Sequence, residues 1–279
     1  MIKRLRPLLG TFVEIVIADP GCLPESQIQQ AINAAFSGIE KIQQQLSFHH
    51  SDSDLTRLNC ANGKRVTFNS PGIYCLKLAR ALMRINTAFN CTLGKAMVDH
   101  QALPAPATTA SAVEDIGTWD DIDIHQHQVR LRRPLWITLD GIAKGFAIDQ
   151  GIKILRRSGI AAAWINAGGD IRVYGSVIMP VSIRDHQGLD HPMGGLQNAA
   201  IATSTSHYTT DCPGLLLNPG TLIAGPQKPA PTLIPSGTWT VIARSAWRAD
   251  ALTKVAANTP AGERQETIRK LGGNWIALD

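Results

Sequence analysis

The sequence predicts an α+β fold: a mixed, largely antiparallel sheet system with helices packed on it. Two stretches carry this expectation. Residues 136–175 read as strand, tight turn, helix, turn, strand, glycine turn and strand. From Pro24 onward, Ile28, Ile32, Ala35, Ile39, Ile42 and Leu46 step by 4, 3, 4, 3 and 4, which marks one face of a long amphipathic helix.

Taken in order, residues 8–18 alternate as a strand, and Pro20 with Gly21 makes a turn. The long helix follows, and the polar residues 48–58 end it. Residues 72–87 form a second helix, buried at Leu76, Ala79, Leu82 and Met83. Residues 102–112 are rich in Ala, Pro and Thr and read as an exposed loop. Residues 119–124 and 129–131 pair as a hairpin. Residues 136–139 are a short apolar strand, ended by Asp140 and Gly141. A helix begins around Lys144 and Gly145 and reaches Ser158, where Gly159 fits its stop. A buried strand at 161–167 runs into Gly168, Gly169 and Asp170. Strands at 180–184, 199–203, 238–244 and 274–278, with helices at 247–258 and 262–271, complete the chain.

Length and composition bound the answer. At 279 residues, with 44% apolar and 18% charged residues, the chain has the composition of a soluble globular protein that buries a full core. The net charge of +5 is scattered, apart from clusters at 3–6 and 130–133. That favours anionic small ligands over a nucleic-acid stripe, so no nucleic-acid partner is expected. The five cysteines are widely spaced, with no C-x-x-C and an odd count, which argues against zinc, redox and disulfide frameworks. Gly10, Thr11 and Glu14 interrupt the apolar N-terminus, and there is no transmembrane run. The expectation is a cytoplasmic protein, exported only if a leader was removed.

The chemistry points to residues 140–175. N–H groups at a helix start, with Lys144 among them, make an anion site. Asp140 and Asp170 can hold a cation, or the hydroxyl and amine donors of a ligand. Such a unit is also common in α/β proteins that bind nothing there, and neither the Walker nor the Rossmann spacing is present. Elsewhere, Asp185, His186, Asp190 and His191 match no metal-ligand spacing and read as a solvated loop in 185–195. Ser206 beside His207 lacks an acidic orienter and makes no triad.

The segments D-G-I-A-K-G-F-A-I-D (140–149) and W-I-N-A-G-G-D-I-R-V-Y-G (164–175) resemble the signature of the FAD:protein FMN transferase (ApbE) family. L-L-G-T-F-V-E-I (8–15), L-S-F-H-H-S-D-S-D-L-T-R-L-N (46–59), F-N-C-T-L-G (89–94), A-I-A-T-S (200–204) and A-D-A-L-T (249–253) are similar to further motifs of that family, in its order. The resemblance covers nearly the whole chain and implies one domain over 1–279. With the strand–helix order, it also implies the antiparallel character of the sheet.

It further implies a flavin transferase that binds FAD with Mg²⁺, passes the FMN moiety to a threonine of an acceptor protein and releases AMP. Lys144 and the helix start at Gly141 would hold the phosphates. Asp250 and Thr253, with the carbonyl of Ala143, would hold the metal. His49 would stack on the flavin. Thr92, Asp140, Gly168, Gly169, Asp170 and Thr203 would complete the cofactor site, and Lys144 and Asp250 are the candidates for catalysis.

The chain departs from the family pattern at several positions. His49 stands where tyrosine is usual, and Asn90 replaces an aspartate. Leu215 and Asn218 replace a histidine and an aspartate in L-L-L-N-P-G-T (215–221). Lys254 replaces a threonine four residues after Asp250. Either Thr253 takes over as ligand, or the Lys254 ammonium replaces part of the metal's charge. An ordinary i,i+4 pair is the plain alternative. These departures keep a second reading open: a flavin-binding protein of this fold without transferase activity. A basic interaction protein without a ligand would have no need of both retained glycine motifs.

Overall fold

The computed structural model describes residues 1–106, 112–184, 189–206, 224–225, 232–233 and 237–277. In chain order the elements are β1 (Ile2–Leu8), β2 (Thr11–Asp19), α1 (Glu25–Leu46), α2 (Asp54–Asn59), β3 (Val66–Thr67), α3 (Ser70–Ile85), α4 (Gly94–Asp99), β4 (Ile122–His125), β5 (Gln128–Leu131) and α5 (Ala143–Arg157). Then come β6 (Ala162–Ala167), β7 (Asp170–Tyr174), β8 (Met179–Arg184), β9 (Asp190–Leu196), β10 (Ala200–Ser206), β11 (Ala224–Gly225), β12 (Thr232–Leu233), β13 (Gly237–Ala243), α6 (Ala246–Ala257), α7 (Ala261–Lys270) and β14 (Gly273–Ile276).

Seven strands form the main sheet in the order β1-β2-β6-β7-β10-β13-β14. Every pairing within it is antiparallel. The α+β, largely antiparallel class expected from the sequence is the observed one. A small sheet β3-β5-β4 stands apart, as do the hairpins β8–β9 and β11–β12.

On one face of the sheet, α1 packs along α5, α5 against α6, and α6 on β10 and β13. The six stripe residues of α1 named from the sequence are all at most 5% exposed. Each of the buried isoleucine and leucine side chains among them contributes about 1.5–3 kcal/mol. The opposite face carries a smaller cluster of Ile171, Val173, Val181, Leu196 and Ile201. Among the described residues, no helix is long and apolar enough to cross a membrane.

Four sequence expectations are corrected. First, residues 8–18 are not one strand, because Leu9 and Gly10 turn the chain with φ of 57° and 69°. Two residues at positive φ make the tight hairpin turn. The alternation resumes on the far side, which hides the break. Second, residues 136–139 join no sheet. Their backbone is satisfied by Gly94 N–H to the Trp136 carbonyl (3.0 Å), Thr138 N–H to the Cys91 carbonyl (2.9 Å) and the Asn59 amide around Ile137 (2.8 and 2.9 Å). Their apolar side chains serve the core between loops.

Third, part of the expected loop at 185–195 is β9, paired with β8. Its Gly, His and Asp residues have low strand propensity, and only Leu196 is buried. Fourth, the polar segment after α1 holds a helix, α2, capped by Ser53, whose hydroxyl accepts from Thr56 N–H at 2.9 Å.

Candidate functional site

The glycine motifs converge on one cleft of about 700 Å³. Its apolar wall comes from the segment around α4: Phe89, Cys91, Leu93, Met97 and Leu103. Its polar wall combines three elements. Asp140, Gly141 and Lys144 come from the start of α5, Ser204 and Thr205 from β10, and Lys254 and Asn258 from the end of α6. Gly10, His49, Gly168 and Thr203 also line it, as do Ala88, Asn90, Ala102 and Thr138. Gly168 and Gly169 make the β6–β7 turn with φ of 60° and 96°, and a Cβ on Gly168 would lie 2.8 Å from the Thr11 hydroxyl.

Lys144 projects from the first turn of α5, and its ammonium lies 3.1 Å from Oδ2 of Asp170, the first residue of β7. The lysine is about one-third exposed and the aspartate is buried. Burial works against the Lys144 charge, but the carboxylates of Asp170 and Asp250 outweigh it and hold its pKa above the ordinary value. Burial raises Asp170 to about 6, against the pull of Lys144 and with the charge of Asp250 adding to the rise. Asp170 also accepts from Thr203 N–H at 3.3 Å. Asp140 opens toward the cleft yet is ringed by protein. Poor solvation raises its pKa, opposed by the Thr138 hydroxyl, His49 and Lys254.

Behind the cleft, α5 and α6 hold each other's first turns. Asp250 of α6 accepts from Gly145 N–H through Oδ2 at 2.9 Å. Asp149 of α5 accepts from Ala246 and Trp247 N–H at 3.0 and 2.9 Å. These carboxylates meet the positive ends of the helices. Only glycine fits at 145, since a Cβ there would lie 2.2 Å from the Ala246 carbonyl oxygen. Part of the helix start expected to be open is closed by this crossing. Ala143 N–H donates to the Leu139 carbonyl at 2.8 Å, and Gly145 N–H is held by Asp250. Gly141 and Lys144 themselves line the cleft, and the Lys144 side chain brings a full positive charge to this end of the helix.

The oxygens assigned to a metal are also engaged. Oδ1 of Asp250 accepts from the Lys254 ammonium at 2.5 Å. The Thr253 hydroxyl is fully buried, 2.6 Å from both the Asp250 carbonyl and the Ser204 hydroxyl. Ala143 is the first residue of α5, two before the Gly145 N–H that holds Asp250. Among the described residues, no group of three or more His, Cys, Asp or Glu side chains can hold a metal ion. This arrangement does not fit a divalent cation at Asp250.

The model of the ApbE family matches residues 9–277. This chain belongs to the ApbE family. The FAD:protein FMN transferase of Treponema pallidum (strain Nichols) is 26% identical over 192 residues, which are 62% of this chain and 51% of that protein. The chain therefore spans about half the length of that relative. The solved flavin transferase ApbE from Vibrio cholerae superposes with a TM-score of 0.75 at 19% identity, covering 100% of this chain and 97% of that one. The ApbE protein from Thermotoga maritima gives 0.77 at 19% identity, covering 98% and 93%. These two structures establish the ApbE fold for this chain.

Of the residues expected from the ApbE resemblance, His49, Asp140, Gly141, Lys144, Gly168 and Thr203 line the cleft. Asp170 stands directly behind Lys144, and Asp250 and Thr253 stand behind Lys254. Thr92 does not line the cleft. It is fully buried, its hydroxyl bonded to Asn90 and to Gly117 N–H at 2.8 Å each, so it fixes the wall rather than touching a ligand. Gly169 is on the outer side of the turn and exposed. Leu215, Asn218, Pro219, Thr221, Asp185, His186 and His207 lie outside the described residues.

Sequence reasoning missed the apolar wall and Asn258. Phe89 stood inside a recognised motif and was the available signal. Met97, Leu103 and Asn258 carry no local signature. The Asn258 amide oxygen is buried at the cleft and has no hydrogen-bond partner among the described residues.

Proposed function

We propose that this chain is a flavin transferase that binds FAD in the cleft and passes the FMN moiety to a threonine of an acceptor protein. The observation that carries this reading is the pairing, in one cleft, of an apolar wall with two ammonium groups, Lys144 and Lys254. A flat ring system fits the first, and a pyrophosphate fits the second.

In the reaction, the threonine Oγ forms a bond to the FMN phosphorus and the pyrophosphate P–O bond breaks. AMP departs, and the hydroxyl proton leaves with it or to solvent. Negative charge grows on the phosphate oxygens as that bond breaks, and cations already in place stabilise it. Lys144 is held for this role by Asp170. Membership of the ApbE family and the named activity of the Treponema relative support the same reading. The Mg²⁺ that the family resemblance implies takes no part in it, because the oxygens of Asp250 and Thr253 are committed as described.

The second reading, flavin binding without transfer, is favoured by Leu215, which has no proton-accepting group where the family pattern has a histidine. Loss of one acid–base group typically costs about 10²–10⁴-fold. A calorimetric titration tests the binding claim common to both. FAD should bind more tightly than riboflavin, which has no phosphate for Lys144. Equal affinities would contradict both readings. AMP release on adding FAD then separates transfer from binding alone.

A further inference from the structure

We infer that Lys254 is a built-in cation standing where the family resemblance places a divalent metal, so that this chain holds the pyrophosphate of its dinucleotide without Mg²⁺. The inference rests on the flavin reading above.

The geometry carries it. Lys254 follows Asp250 by one helical turn, and its stem runs beside Gly141 on the cleft floor, 3.6–3.8 Å from where a Cβ on that glycine would stand. The ammonium donates to Oδ1 of Asp250 at 2.5 Å, to the Ser204 hydroxyl at 2.9 Å and to the Asp250 carbonyl at 3.3 Å. Carboxylate, hydroxyl and carbonyl oxygens are the donor types that a hard metal ion takes. Here a lysine nitrogen has them.

Asp250 is fully buried, so its charge needs a partner at all times. A tethered ammonium is always at hand, whereas a dissolved ion must find the site and then share a carboxylate oxygen with a second positive charge. The Thr253 hydroxyl is no alternative ligand, since it is buried and committed to Asp250 and Ser204.

The side chain of Lys254 is about one-fifth exposed, on the cleft side. Its long contact to the Asp250 carbonyl is the weakest of the three. The N–H in that contact is the one a phosphate oxygen takes over. Lys144 supplies the second cation from the start of α5.

The test is FAD binding by the full chain, followed by flavin fluorescence, in EDTA and in excess Mg²⁺. Wild type should bind FAD in EDTA, with Mg²⁺ changing the dissociation constant by less than about twofold. Lys254→Thr should lose about tenfold or more in EDTA and recover when Mg²⁺ is added. Lys254→Arg should stay insensitive to EDTA. Wild-type binding that needs Mg²⁺ would overturn the inference while leaving the flavin reading intact. Absence of FAD binding in both conditions would overturn the flavin reading and this inference with it. Should Lys254→Thr not fold, the wild-type comparison decides alone.

Discussion

The Gly145 N–H donates to Oδ2 of Asp250 at 2.9 Å, and this bond pins the start of α5 to α6 at the back of the cleft. The Gly145 Cα–H is the only side group that fits under the Ala246 carbonyl. Gly145→Ala should therefore destabilise the fold by about 1–3 kcal/mol, the usual cost of overpacking. It should also weaken FAD binding, although position 145 contributes no side-chain functional group. Thermal denaturation checks the first effect. An unchanged melting temperature would mean that the two helices are not in tight contact there.

Lys144→Met removes one of the two cations and keeps the length of the side chain. FAD affinity should fall by about 10–100-fold, the range of a charge-assisted hydrogen bond. Riboflavin affinity should stay within about twofold. Parallel titrations of the two ligands read this directly, and an equal loss for both would place the effect in the fold rather than at a phosphate.

Asp170 makes FAD binding depend on pH. Burial puts its pKa at about 6, and an anion bound at Lys144 pushes it higher. Binding then takes up a proton over the interval between the two values. Affinity should rise as pH falls toward 6, by at most about tenfold per pH unit, and level off below. Asp170→Asn should flatten the profile. For folding the sign follows from the same raised value. The contribution of Asp170 to stability is full below the ordinary carboxylate range and is lost as pH rises through 6.

Asp121 behaves in the opposite sense. Hydrogen bonds from Arg133 lower its pKa to about 2, against burial and with help from Thr118. The guanidinium grips both carboxylate oxygens, at 2.9 and 2.8 Å. Stability from this pair is present above the ordinary carboxylate range and is lost as pH falls through 2. Asp121→Asn should cost about 2 kcal/mol at neutral pH, and the gap from wild type should close in strong acid. Chemical denaturation across pH measures it, and a gap that does not depend on pH would refute the assignment.

Periodic and glycine-marked features were legible in the sequence. The stripe of α1, the stop at Gly159 and the β6–β7 turn at Gly168 and Gly169 all follow from local chemistry. So does the placing of Lys144 at a helix start. Features set by tertiary partners were not legible. Residues 136–139 have strand-like composition, but Asn59 and the loop at 91–94 claim their hydrogen bonds. That the Gly145 N–H at the start of α5 is taken by Asp250 is hidden in sequence, because the two lie 105 residues apart. The commitment of Thr253 to Ser204 depends on how α6 meets β10, and the apolar wall gathers residues that share no motif.

The most direct test of the central claim is incubation of the full chain with FAD and a threonine-bearing acceptor, with AMP and flavin covalently attached to the acceptor measured together. The account predicts both products in equal amounts, at a rate well below the roughly 10 s⁻¹ of a typical enzyme. Bound FAD with neither AMP nor flavinylated acceptor would contradict the assignment of transfer.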